Sequence, residues 1–278
     1  FDIVISVSSG PAKAIITKPE TFHLCYCLTP PRYFWEKQFL PHKKFFSFLS
    51  PLRAQDYFLS KRPDAFFAIS KNIQQKIKKI YHRDAEVIYP GIDLKKFKPR
   101  EKNGNFKKPY FLLVSRLVEY KKIDLAIKAF NQTKFKLIIV GCGRQMDYLK
   151  SIAAQNIHFY GKVSDEDLIN LYQNCQALIC PQEEDFGLAP IESQACGKPV
   201  ISFSKGGIKE TVIPGKTGEF FFPQTPEALL QTLKKFNPSK YHSDDCIRNA
   251  QKFDQKNFMI LFKKKTEEKW QKYRQKFM

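Results

Sequence analysis

From residue 110 onward, short apolar runs alternate with stretches of helical periodicity, and this alternation limits the fold more than any other feature. The runs at 110–115, 136–140, 157–160, 177–180 and 199–203 are nearly continuous in apolar residues. Helical stretches at 123–131, 144–154, 165–175, 190–196 and 208–212 separate them. Strands that are apolar on both faces and joined through helices form a parallel sheet covered on both sides. Residues 219–222 add a strand and 226–236 a helix, and 244–272 is helical but rich in lysine.

The first hundred residues follow a looser version of the same pattern. Apolar runs at 3–7, 14–17 and 22–28 are punctuated by Gly and Pro, which is strand and turn chemistry. A helix is expected at 51–60, a strand at 65–70, a helix at 71–81 and a strand at 85–89. Ser70 is placed to cap the helix at 71–81, whose Ile73, Ile77 and Ile80 share one face. The polar, basic stretch that follows has the composition of a linker. The organisation expected is therefore a first α/β domain at 1–99, a linker at 100–108, a second domain at 109–250 and a terminal helix at 251–278. The chain begins without Met, inside a strand, so the first domain is expected to be incomplete.

Seven cysteines, an odd number, fit reduced and buried thiols better than a disulfide framework. Cys25 and Cys27 lack the spacing of a zinc pair. The formal charge of +20 at pH 7 favours polyanionic partners, although lysine is spread along the whole chain and much of the excess only solvates the surface. No nucleic-acid recognition motif accompanies the charge, which argues against that partner. One stretch stands out. Residues 31–62 interleave aromatics (Trp35, Phe39, Phe48, Phe58 among them) with Arg32, Lys37, Arg53, Lys61 and Arg62. Such a mixture suits an anionic membrane surface, and equally a set of aromatics buried in a core. No apolar run is long enough to span a membrane.

The chemistry gathers at strand ends. The run 177–180 leads into Pro181-Gln182-Glu183-Glu184-Asp185-Phe186-Gly187, and a helix is expected to start at Pro190 and stop at Gly197. Carboxylates at the carboxyl end of a parallel strand lie where open α/β sheets bind ligands. The run 110–115 ends in the same way at Arg116 and Lys121, a fork and a point charge suited to a diphosphate. Backbone N–H groups at Gly187-Leu188-Ala189 would add donors to the same anion. Gly141-Cys142-Gly143 is half of a dinucleotide fingerprint, with Met146 where the third Gly would stand. No Asp-x-Asp pair or His cluster offers a metal site, so the cations of the chain itself would have to neutralise a leaving phosphate.

Arg116-x4-Lys121, Gly141-x-Gly143 and Glu184-x7-Glu192, in this order, resemble the retaining family-4 glycosyltransferases of the GT-B fold. Ser204-Lys205-Gly206-Gly207 and Gly215-Lys216-Thr217-Gly218 fit the same pattern. Glu183-Glu184-Asp185-Phe186-Gly187, Gln194-Ala195-Cys196-Gly197, Cys25-Tyr26-Cys27, Thr29-Pro30 and Arg32-Tyr33 resemble bacterial mannosyltransferases of surface polysaccharides. The resemblance implies an α/β GT-B fold of two Rossmann-like domains, the N-terminal one truncated and the C-terminal one complete.

It implies a metal-independent enzyme with no cofactor, moving a hexose with retention from a nucleotide sugar, most simply mannose from GDP-mannose. The acceptor would be a glycan or a polyprenyl-diphosphate-linked glycan, and the location the cytoplasm, peripheral to the inner face of the cytoplasmic membrane. Arg116, Lys121 and Glu184 would be catalytic: the two cations hold the diphosphate as it leaves and Glu184 meets hydroxyls of the donor sugar. Glu192 would hydrogen-bond the ribose, the backbone at Gly187 and Leu188 would touch the distal phosphate, Phe186 and Gly141 would also bind the donor, and Lys162 and Val163 would lie at the base. Departure of a diphosphate from an oxocarbenium-like sugar is helped by fixed cations, and in the family the departing phosphate is held to take the acceptor's proton. One departure concerns Leu28, which stands where relatives carry His before Thr-Pro. With the shortened first domain, it points to the alternative of a catalytically impaired nucleotide-sugar-binding remnant or partner subunit.

Overall fold

The computed structural model describes residues 1–39, 48–99 and 109–276. The linker expected at 100–108 and the centre of the aromatic–basic stretch, 40–47, lie outside the described residues. The chain divides into two units, Phe1–Gly91 with Gln255–Met278, and Ile92–Asp254. Among the described residues no helix is long and apolar enough to cross a membrane.

In the first unit, β1 (Ile3–Ser8), β2 (Phe22–Cys27), β3 (Ala65–Ala68) and β4 (Glu86–Val87) form a parallel sheet in the order β1-β2-β3-β4. Residues 14–17 are not the expected strand. Pro11–Ala14 makes a 3-10 turn, in which Lys13 is buried and ion-pairs with Asp56 of the helix Ser50–Leu59. Asp56 also accepts from Trp35 Nε1 and from the Tyr81 hydroxyl, both at 2.8 Å, so this buried carboxylate is fully engaged. Of the aromatics in the aromatic–basic stretch, Trp35 is half-buried where it meets Asp56, while Phe48 and Phe58 are exposed.

The helix Lys71–Tyr81 is capped as expected, Ser70 Oγ accepting from the Ile73 N–H at 3.1 Å. Its buried face is Ile73, Ile77 and Tyr81, because the i+4 step after Ile77 lands on Tyr81 and leaves Ile80 half-buried. Phe258 and Phe262 of the helix Gln255–Arg274 pack on Tyr26, with ring centroids 5.9 and 5.3 Å away.

In the second unit, β5 (Tyr110–Val114), β6 (Lys136–Val140), β7 (Ile157–Gly161), β8 (Leu178–Cys180), β9 (Val200–Phe203) and β10 (Gly218–Phe221) are all parallel, in the order β10-β9-β8-β5-β6-β7. The expected alternation is observed, and β5, β6, β8 and β9 are buried almost throughout. The edge strand β7 departs from it, with His158 and Tyr160 exposed. Phe111, Leu113, Leu137, Ile139, Ile179 and Ile201 form one core face with the helices Ile123–Phe130 and Pro226–Lys235. On the other face, the Tyr110 hydroxyl reaches the Leu171 carbonyl of the helix Asp165–Asn174. The helix expected at 190–196 starts two residues earlier, at Leu188. Pro190 still falls in the first turn, where no backbone N–H has a helical partner to lose. Gly197 ends the helix with φ 76°, in the left-handed region.

Candidate functional site

The chain runs from β5 outward through β6 to β7, then returns to place β8 on the opposite side of β5. The loops after β5 and β8 therefore diverge at the carboxyl edge of the sheet, the switch point at which doubly wound folds open a crevice for ligands. Lys121 lies on the first loop and Glu184 on the second. Lys121 Nζ donates to Glu184 Oε1 at 2.6 Å, with the two side chains 15% and 16% exposed. The Gln182 amide donates to the same oxygen at 2.6 Å. Beneath them, burial pushes the Cys180 thiol far up; Glu184 adds to that shift and Lys121 opposes it.

Close main-chain packing holds the two loops. Glu184 forms a parallel bridge with Gly206, and its carbonyl accepts from the Gly207 N–H at 2.7 Å. A Cβ on Gly206 would stand 2.2 Å from the Glu184 oxygen and one on Gly207 2.0 Å from the Asp185 oxygen, so this contact needs both glycines. Lys205 pairs with Glu183 at 3.0 Å on the same seam. After β6, Gly141 and Gly143 let the turn press on the end of β5: Leu117 N–H donates to the Cys142 carbonyl at 2.9 Å and Gln145 N–H to the Leu117 carbonyl at 3.1 Å. The Gly-x-Gly spacing thus has a backbone-packing reason beside any ligand.

The other expected site residues are placed as follows. Arg116 leaves the same strand end as Lys121 but is exposed, its guanidinium donating to the Tyr120 hydroxyl at 2.6 Å and not to the Lys121–Glu184 pair. Gly187, at φ 91°, caps the helix Leu188–Ala195, which has no side-chain cap and so presents its first N–H groups. Leu188 is exposed, whereas Phe186 is buried with its ring 5.6 Å from that of Phe253. Phe186 can therefore serve the site through its main chain only. Glu192, one turn into the helix, accepts from the Tyr172 hydroxyl at 2.8 Å. Burial raises the Glu192 carboxyl; the Tyr172 hydrogen bond and Lys96 oppose the shift, and Asp165 adds to it. Lys162 is exposed and Val163 half-buried just after β7, two strands from β5.

Sequence reasoning missed Gln182 and Tyr172. Tyr172 carried a usable signal, since a tyrosine on the buried face of a helix needs a partner for its hydroxyl. The reading of the cysteines as buried needs one correction. Cys142 is exposed, because the turn after β6 packs through its two glycines and turns the side chain between them outward; the other six thiols are buried and none of the seven is in a disulfide.

Residues 95–253 match the model of the family described as "Glycosyl transferases group 1". D-rhamnosyltransferase WbpZ of Pseudomonas aeruginosa is 30% identical over 217 residues, 72% of this chain and 55% of its own length. The GDP-mannose-dependent monoacylated alpha-(1-6)-phosphatidylinositol monomannoside mannosyltransferase of Corynebacterium glutamicum is 31% identical over 215 residues, 67% of this chain and 55% of its own length. The chain spans about half the length of these curated relatives. Among solved structures, Anabaena HepE in complex with UDP and glucose matches with TM-score 0.76 at 18% identity, over 96% of this chain and 78% of that one. Sucrose-phosphate synthase from Thermosynechococcus elongatus matches with TM-score 0.73 at 22% identity, over 92% of this chain and 67% of that one. The fold is the expected one, α/β of the GT-B type with a parallel sheet in each of two Rossmann-like units.

Proposed function

The chain belongs to the group 1 glycosyl transferases, and from that premise we propose that it binds a nucleotide sugar in the crevice between β5 and β8 and transfers the sugar. The observation that carries the reading is the Lys121–Glu184 pair spanning that crevice. A diphosphate would draw Lys121 from Glu184 and engage Arg116 and the N–H groups after Gly187. Glu184, released, would accept from hydroxyls of the sugar, and Glu192, held by Tyr172, from the ribose. The donor we propose is GDP-mannose, in keeping with the name of the Corynebacterium relative. We further propose transfer with retention and without a metal, the departing phosphate taking the acceptor's proton. The acceptor would be a glycan or a polyprenyl-diphosphate-linked glycan of a surface polysaccharide.

The test is calorimetric titration with GDP-mannose, followed by NMR of the anomeric proton of the product. Binding that is abolished in Lys121→Ala, with an axial donor giving an axial product, supports the reading. An inverted product refutes retention, and unaltered binding in Lys121→Ala and Glu184→Ala refutes the site. Binding without turnover identifies the second reading, a nucleotide-sugar-binding subunit, which Leu28 favours.

We also propose that the protein is cytoplasmic and peripheral to the inner face of the cytoplasmic membrane. Exposed Phe48 and Phe58, beside Lys61 and Arg62 in 31–62, support this. Retention on anionic but not neutral vesicles at low salt, lost in Phe48→Ser/Phe58→Ser, is the expected outcome.

A further inference from the structure

Gln182 is only 5% exposed and follows Pro181 at the end of β8. Its amide nitrogen reaches Glu184 Oε1 at 2.6 Å, the oxygen that Lys121 already serves. A carboxylate only accepts, so the nitrogen must face Glu184 and the amide oxygen must face away. That oxygen is buried and has no hydrogen-bond partner. An apolar side chain of the same length would leave nothing unmet, so the orphaned oxygen calls for an explanation.

We propose that Gln182 is a positioning residue for Glu184, keeping its carboxylate in place when Lys121 leaves for the phosphates of a donor. The proposal rests on the nucleotide-sugar reading of Lys121 and Glu184. The Glu184 main chain is already fixed by the bridge to Gly206 and the bond from the Gly207 N–H, so only its side-chain torsions remain to be set. In the ligand-free site Lys121 and Gln182 share that task. Once a phosphate claims Lys121, Gln182 alone retains the oxygen.

The experiment is titration of wild type, Gln182→Met and Gln182→Glu with GDP and with GDP-mannose. GDP lacks the group that meets Glu184, so Gln182→Met keeps GDP affinity and loses about tenfold for GDP-mannose. A merely structural role would weaken both ligands together. The thermal midpoint of Gln182→Met does not fall, because the orphaned oxygen is gone. In Gln182→Glu, the new carboxyl donates to Glu184 only when protonated and repels it when ionised. Its GDP-mannose affinity therefore rises as pH falls toward the carboxylate range, relative to wild type. This readout also decides the matter if Gln182→Met does not fold. Equal losses for both ligands, unchanged GDP-mannose affinity, or a pH response of Gln182→Glu that matches wild type overturns the proposal. A wild-type chain that binds neither ligand overturns instead the nucleotide-sugar reading beneath it.

Discussion

Gly141 sits so close to Ser115 that a Cβ on it would lie 1.9 Å from the Ser115 carbonyl oxygen, with the backbone at φ 127°. The ends of β5 and β6 are thus locked together by main chain alone. Gly141→Ala is expected to destabilise by about 3 kcal/mol or more, since backbone must move. Gly215, at φ 73° with open space around it, is the control: Gly215→Ala pays only the left-handed penalty of about 1 kcal/mol. Urea denaturation of both variants measures the difference.

The Lys121–Glu184 pair is mostly shielded from solvent, so its members depend on each other. Lys121→Met and Glu184→Gln are each expected to lower stability, with a coupling of about 1–2 kcal/mol in the double-mutant cycle. A coupling near zero would mean the ion pair is screened as a surface pair is.

Glu192 supplies a pH dependence with a definite sign. Its carboxyl is raised, chiefly by burial, so it binds its proton more tightly folded than unfolded. The folded chain is then favoured at low pH, and stability falls as pH climbs from the ordinary carboxylate value to the raised one, staying lower beyond it. Glu192→Gln removes that fall while leaving an oxygen for the Tyr172 hydroxyl. The stability of the variant relative to wild type should therefore grow with pH through this window and then level off. Denaturation midpoints below, within and above the window check it.

Cys142 is the exposed thiol among seven cysteines, none of them in a disulfide. Burial pushes Cys25 up to about 11 and Cys175, Cys196 and Cys246 up to about 12. Under native conditions iodoacetamide should therefore add one carbamidomethyl group, at Cys142, and peptide mass spectrometry locates it. Addition at a buried cysteine before Cys142 would contradict the placement of the turn after β6.

The sheet of the second unit was legible because apolar runs such as those that became β5, β6 and β9 have one physical outcome. Short strands flanked by helices must stack in parallel with both faces covered. The strand ends that carry Lys121, Glu184 and Gly187 were legible for the same reason, since a parallel sheet sends all such ends to one edge. Three things were hidden. The 3-10 turn Pro11–Ala14 exists because Lys13 finds Asp56 forty-odd residues later, a pairing no local pattern encodes. Pro190 resembles a helix start, yet the helix begins at Leu188 because the first turn has no N–H bonds for proline to break. Gln182 carries no pattern of its own; its interest lies in which of its atoms is satisfied and which is not, and only the folded structure shows that.

The place of β5 between β6 and β8 carries a consequence for how the chain is made. β6 follows β5 after a single crossover helix, so that parallel pair closes early, but Leu112 finds Leu178 only across a long intervening segment. Closing that loop is slow and entropically unfavourable. On a ribosome, β5 emerges and waits with one edge bare until β8 is synthesised. The crevice therefore cannot form until β8 has emerged, and until then the bare edge of β5 is open to pairing with another chain.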